Sequence, residues 1–161
     1  MSRRLILIRH GKSGWANGEE DHDRTLTDSG RQDATRMGRW LRDEGFTPDV
    51  ILCSSATRTR QTEAALSLGP EPKILDPLYQ SSPDQILSLL AQEDAATVAV
   101  IAHNPGIGDL AARLAATPPD AARFSSYPTC ATTVLSFEAD DWSQVKDGQV
   151  LAFRTPRDFK D

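Results

Sequence analysis

The stretch Arg3-Arg4-Leu5-Ile6-Leu7-Ile8-Arg9-His10-Gly11-Lys12-Ser13 frames the rest of the chain. Leu5 to Ile8 is an unbroken apolar run, β-rich but too short for periodicity to decide, and a polar turn containing glycine stops it. It reads as a buried central strand. Such a strand delivers Arg9, His10 and Gly11 at its carboxyl end, where open α/β sheets place their ligands. Gly11 lets the chain turn and a bulky anion approach, and Arg9 offers planar donors that match phosphate. An imidazole beside a guanidinium suits attack on a bound phosphoryl group. The competing reading is an Arg-His pair that only caps the strand in water, and the tripeptide alone leaves both open.

With 161 residues, 39% of them hydrophobic, the chain can build one domain with its own core, spanning 1–161. A formal net charge of -5 gives no general attraction to nucleic acid or to an anionic membrane, so neither is expected as a partner. Any basic cluster, such as Arg9, Arg24 and Arg58, must then be local. The apolar run before Arg9 is far shorter than a signal peptide's apolar region or a membrane span, and a cytoplasmic protein is expected. Cys53 and Cys130 are lone cysteines, and His10, His22 and His103 are scattered without metal-type spacing. Both cysteines read as buried thiols, and no metal or other cofactor is expected.

Outward from the turn, 14–23 is polar, contains glycine and Trp15, and reads as a loop beside the site. Thr27 starts a helix whose Ala34, Met37, Gly38 and Leu41 share one face, with Gly45 placed to end it. Pro48 to Cys53 is a second buried strand running into Ser54-Ser55-Ala56-Thr57-Arg58-Thr59-Arg60-Gln61-Thr62, a polar turn leading into a helix through Leu66. Lys73 to Leu75 is a short strand. Ser82-Pro83-Asp84-Gln85 is a capping box that opens a helix through Ile86, Leu89 and Leu90. Thr97 to Ala102 is the third strong strand and ends in His103-Asn104-Pro105-Gly106. A helix with Ile107, Leu110, Ala111 and Leu114 follows and is closed by Pro118-Pro119. Thr132 to Phe137 and Gln149 to Phe153 have no helix between them and are expected to pair antiparallel at an edge.

Three strands thus end in Arg9-His10, in the turn before Arg58, and in His103; in a parallel sheet such ends converge on one rim. Two histidines and two arginines can divide phosphoryl transfer, one neutral imidazole attacking phosphorus while the other groups stabilise the shifting charge. At this point the chain resembles the histidine phosphatase (phosphoglycerate mutase-like) superfamily, and within it the small phosphohistidine phosphatases of the SixA type. Arg9-His10-Gly11 matches the signature. The segment Asp21-His22-Asp23-Arg24-Thr25-Leu26-Thr27 is similar to the Asp-x-Asp-Arg-Pro-Leu motif with Thr25 replacing proline. Ser54 to Thr62, His103-Asn104-Pro105 and Tyr127-Pro128-Thr129 match further motifs in order.

The resemblance implies a three-layer α/β/α sandwich with a mainly parallel sheet and an antiparallel edge. It implies a phosphohistidine intermediate on His10, with Arg9, Arg58 and His103 holding phosphate and Arg24 as a further ligand. The substrate would be a phosphohistidine-bearing protein or a small phosphorylated molecule, with inorganic phosphate as product. Ser13 and Asn104 either donate to substrate or stabilise their turns; Arg60 and Lys12 read as solvent-facing. Trp15 either walls the pocket or packs.

Two departures bear on substrate. Mutase-like members carry a glutamate acid after the second arginine motif, whereas Leu78-Tyr79-Gln80 holds no carboxylate. Acid phosphatase relatives have an aspartate after the second histidine, where this chain has Asn104. An alkoxide leaving group needs a proton, worth ~10²- to 10⁴-fold in rate, whereas an already protonated imidazole leaves without one. Phosphohistidine is therefore the expected substrate; a small phosphate ester, or a non-catalytic phosphate-binding module, are the alternatives. Asp21 or Asp23 serves as an acid or orients Arg24 and His22. Packed among Arg9, Arg24, Arg58 and His103, His10 is expected to have a lowered pKa because neighbouring cations oppose a further positive charge.

Overall fold

The computed structural model describes residues 2–15 and 18–159. Positions 16 and 17 of the 14–23 loop, and positions 1, 160 and 161 of the 1–161 domain, lie outside the described residues. The six strands are β1 (Ser2–Arg9), β2 (Val50–Ser54), β3 (Lys73–Leu75), β4 (Thr97–Ala102), β5 (Thr132–Glu138) and β6 (Gln149–Arg154), in spatial order β3-β2-β4-β1-β5-β6. Neighbours among β1 to β4 run parallel, β5 is antiparallel to β1, and β6 is antiparallel to β5. The late strands do pair antiparallel, but only β6 forms the edge, because β5 is inserted against β1.

Side chains alternate across β1, which explains its unbroken apolar run. Ile6 and Ile8 pack beneath α1 (Asp28–Asp43) and α2 (Thr57–Leu66), with Ala34, Met37, Leu41 and Leu66. Leu5 and Leu7 face α3 (Pro83–Leu90), α4 (Gly106–Leu114) and α5 (Ala122–Ser126), with Ile86, Leu110 and Phe124. A strand covered on both faces cannot alternate with polar residues. The three-layer α/β/α arrangement follows from these two cores. Each fully buried Leu or Ile contributes about 1.5–3 kcal/mol, and all four of these β1 side chains are completely buried, so the turn after β1 hangs from a firmly packed strand.

The helix signals behave as their chemistry requires. Thr27 caps α1 by accepting from the Gly30 amide at 3.0 Å, and Gly45 takes the left-handed conformation (φ 75°) just past the helix end. Ser82 and Gln85 form the reciprocal capping box on α3. Helix α4 ends at Leu114, before the Pro118-Pro119 pair expected to close it. The short helix α5 carries too little periodicity to be read from sequence. The loop segment also contains a 3₁₀ turn, Asp21–Asp23.

The start of α1 is pressed against the turn after β1. The Thr27 amide donates to the Lys12 carbonyl at 2.9 Å, and a Cβ on Gly30 would lie 2.2 Å from that same carbonyl oxygen.

Candidate active site

Strands β2, β4 and β1 lie side by side and parallel, so their carboxyl ends form one rim. Registers pair Arg9 with Ala102 and Cys53 with Ile101, which brings His10, His103 and Ser54 out next to one another. The His10 and His103 ring centroids are 5.2 Å apart, and each residue is only 7% exposed.

The protonation of His10 follows from its partner. Its Nδ1 lies 2.7 Å from the Gly11 carbonyl oxygen, which can only accept, so Nδ1 carries the hydrogen and Nε2 keeps the lone pair. The His10 pKa is pushed down to about 4, by burial above all and then by the charges of Arg9, Arg58 and Arg24, with the Gly11 bond opposing them. The expected direction holds, but desolvation rather than the cation cluster is the largest cause. His103 Nε2 is 2.8 Å from Ser54 Oγ, and burial, followed by the charges of His10 and Arg58, pushes its pKa down to about 3.

Among the described residues, the buried side-chain nitrogens lacking a hydrogen-bond partner are Arg3 Nε, Arg9 Nε, Arg58 Nε and His103 Nδ1. Three of them belong to this rim. An unpartnered buried polar atom costs roughly 1–3 kcal/mol, more for a charged group, so these three atoms are suited to partners such as acceptor oxygens. Arg9 is oriented by donating from Nη1 to the Tyr127 carbonyl at 3.1 Å. Arg58, 6% exposed, donates from Nη1 to the Asp21 carbonyl (2.7 Å) and from Nη2 to Asp21 Oδ2 (3.1 Å).

The remaining predicted residues separate into groups. Arg24 donates to Asp21 Oδ1 (3.0 Å), to Ser13 Oγ (2.8 Å) and to the Gly14 carbonyl (3.4 Å), with its guanidinium 4.2 Å from the Trp15 ring centroid. Ser13 therefore steadies Arg24, and Trp15, 61% exposed, forms a ledge under it. Asn104 donates to the Tyr127 carbonyl (2.9 Å) and accepts from the Gly108 amide (3.2 Å), which builds its turn. Gly11 differs from expectation: its amide donates to Thr62 Oγ1 at 2.9 Å, and an added Cβ would meet the Gly30 carbonyl oxygen at 2.8 Å. The glycine is required by the close approach of α1, and its φ is not left-handed. Arg60 and Lys12 are exposed. Cys53 and Cys130 are buried free thiols, each pushed by burial to about 12.

Asp21 lies at the centre of the cationic side. Its carboxyl accepts from Tyr79 Oη, Arg24 and Arg58, and the Tyr79 bond is the largest cause holding it well below the usual carboxylate range. Asp23 faces solvent, 67% exposed, 3.7 Å from His22 Nδ1, while His22 Nε2 is 2.9 Å from Ser55 Oγ. Sequence reasoning missed Tyr79, Ser54 and Thr62. Ser54 ends β2, Thr62 lies within α2 and Tyr79 follows a 3₁₀ turn, and the role of each lies in a partner far along the chain. Beyond Asn104 an open cleft of about 520 Å³ is lined by residues including Gln80, Ser82 and Asp109. Among the described residues no group of three or more His, Cys, Asp or Glu side chains is gathered as for a metal ion, and no helix is long and apolar enough to cross a membrane.

A rim that pairs an uncommitted imidazole with two arginines and a second histidine defines a class of phosphoryl-handling protein. Residues 5–79 match the histidine phosphatase superfamily (branch 1). The uncharacterized protein Rv1276c of Mycobacterium tuberculosis is 34% identical over 159 residues, covering 93% of this chain and 100% of that protein. A structure from Nakamurella multipartitia, provisionally named phosphohistidine phosphatase SixA, superposes with a TM-score of 0.83 at 32% identity over 97% of each chain. A second structure with the same provisional name, from Agrobacterium tumefaciens, gives 0.77 at 28% identity, covering 96% of this chain and 99% of that one. The chain belongs to the histidine phosphatase superfamily. That membership supports a phosphatase.

Proposed function

We propose that the protein is a metal-independent phosphatase that forms a phosphohistidine on His10 and acts on phosphohistidine carried by other proteins. The observation that carries this reading is the lone pair on His10 Nε2, set beside the unpartnered Arg9 Nε, Arg58 Nε and His103 Nδ1. Nε2 attacks phosphorus and the substrate's imidazole nitrogen departs with the bonding pair. Because Nδ1 keeps its hydrogen on the Gly11 carbonyl, the intermediate is an N-phosphorylated imidazolium, itself a good leaving group. Water then forms the new P–O bond, the Nε2–P bond breaks, neutral His10 returns, and dihydrogen phosphate leaves with both water protons. The arginines and His103 stabilise the equatorial oxygens throughout.

The substrate class follows from the absence of a poised acid among the candidates. Asp21 is held ionised by three donors, Asp23 is turned to solvent against His22, and Asn104 has no proton of suitable acidity. A leaving group that departs as a neutral ring fits such a site better than an alkoxide. The test is turnover of a phosphohistidine protein against alkyl phosphomonoesters, with and without chelator. The phosphohistidine protein is expected to exceed the alkyl esters by about 10²-fold or more in kcat/KM, with no effect of chelator. Equal turnover of the esters would overturn the substrate assignment, and loss on chelation restored by one divalent ion would overturn the metal-free chemistry.

A pH dependence follows with a definite sign. The attacking form of His10 is neutral, and its folded pKa is lowered from 6.5 to about 4. The nucleophile should therefore stay competent as pH falls through 6.5 and be lost only near 4. Folding is linked the same way: the unfolded chain binds more protons between those values, so stability is full above pH 6.5 and declines as pH falls toward 4. A histidine-resolved NMR titration of the free protein reads the pKa directly, and a His10 midpoint at or above 6.5 would contradict this picture.

A further inference from the structure

We propose that Tyr79 is a positioning residue for the phosphate site: its hydroxyl clamps the Asp21 carboxylate, and Asp21 in turn sets the guanidinium of Arg58. The inference rests on the proposed phosphoryl site. Arg58 engages Asp21 through both terminal nitrogens, Nη1 to the carbonyl and Nη2 to Oδ2. This commits the end of the fork to the protein and leaves the edge carrying Nε without a partner. Arg9 is held in a similar way, with Nη1 on the Tyr127 carbonyl and Nε unpartnered. Arg58 is anchored by both terminal nitrogens and Arg9 by Nη1, and each keeps its Nε edge unpartnered, the geometry suited to paired donation to a tetrahedral anion.

Asp21 can hold Arg58 still only if it is held itself. Its side chain is 39% exposed and belongs to a short 3₁₀ turn, so its own backbone gives it little stiffness. Arg24 anchors Oδ1 from the same segment, while Tyr79 anchors Oδ2 from the turn that precedes α3. The Tyr79 ring is itself fixed edge-on between His22 (centroids 4.9 Å) and His103 (5.5 Å). Tyr79 thus ties the Asp21 turn to the His103 side of the rim. Its hydroxyl also draws charge from a carboxylate that stands beside the anion site. Removing it leaves Oδ2 freer to compete for Arg58, more repulsive to phosphate, and less well placed. All three effects weaken anion binding.

The hydroxyl is already donated to a carboxylate, which argues against a role as proton donor. Tyr79→Phe keeps the half-buried ring, which lies 6.0 Å from the Arg58 guanidinium, and removes the hydroxyl with its bond to Asp21 and its lesser interaction with Arg58. Binding of inorganic phosphate, followed by calorimetry without turnover, is expected to weaken by roughly tenfold, in line with loss of a hydrogen bond to a charged group. In the Asp21→Ala background the same substitution should change the affinity by less than about twofold, because the carboxylate through which Tyr79 acts is gone. A purely packing role for Tyr79 would not produce that coupling. If wild type binds phosphate and Tyr79→Phe binds it equally well, or if the loss persists undiminished without Asp21, the positioning role is wrong while the phosphoryl site stands. If wild type binds no phosphate, the site and this inference fall together.

Discussion

His10→Ala should lose about 10⁴-fold or more in kcat, the largest single effect expected in this protein. The reason is that no other group can take over. His103 is the nearest imidazole, but its Nε2 is engaged by Ser54 Oγ, and its unpartnered Nδ1 is buried. Its proposed task is to hold oxygens rather than to bond phosphorus. The alanine variant keeps Arg9, Arg58 and His103, so phosphate should still bind while turnover is abolished. That separation distinguishes a lost nucleophile from a collapsed site. Labelled substrate quenched at alkaline pH, which spares the N–P bond, should place the phosphoryl group on His10 in the wild type. Label on His103, or residual turnover within about a hundredfold of wild type, would remove His10 from the role of nucleophile.

Arg58→Gln should reduce kcat/KM by about 10²- to 10³-fold, the range seen when one preorganised donor to transition-state charge is removed. Two changes reinforce each other. The unpartnered Nε donor and its charge disappear, and Asp21 loses the partner that engages both its carbonyl and Oδ2. Arg58 also lowers the pKa of both His10 and His103, so both should rise in the variant, moving the acid limit of activity upward from about pH 4. Arg58→Lys separates charge from geometry. A lysine restores the positive charge but cannot occupy the Asp21 carbonyl, Oδ2 and the anion with one planar fork, so it should recover the histidine pKa values more fully than the rate. An Arg58→Gln enzyme within tenfold of wild type would show that Arg9 and His103 suffice to hold the transferring group.

Arg24, a further phosphate ligand by the family resemblance, donates from Nε, Nη1 and Nη2 to protein acceptors, and each terminal nitrogen keeps a second N–H that an anion could accept from. Its charge also lowers the His10 pKa, and it anchors Asp21. Asn104 bonds within its turn and Ser13 accepts from Arg24, so both stabilise their surroundings.

What the sequence determined by itself was whatever depends on neighbours along the chain. The apolar runs at Leu5–Ile8, Val50–Cys53 and Thr97–Ala102 had to be buried strands, and each carried a polar residue at its carboxyl end, so His10, Arg58 and His103 could be placed on one rim. The Thr27 cap and the Ser82–Gln85 capping box were equally local, since both bond within a single turn. Only the tertiary structure decided how those residues are held. Thr62 reaches Gly11 across 51 positions, Ser54 reaches His103 across 49, and Tyr79 reaches Asp21 across 58. It also decided that β5 enters beside β1 and that burial outweighs charge in lowering the His10 pKa. Periodicity and capping are written in residues that are adjacent in the chain, whereas desolvation and side-chain hydrogen bonds depend on which distant segments the packed sheet brings together.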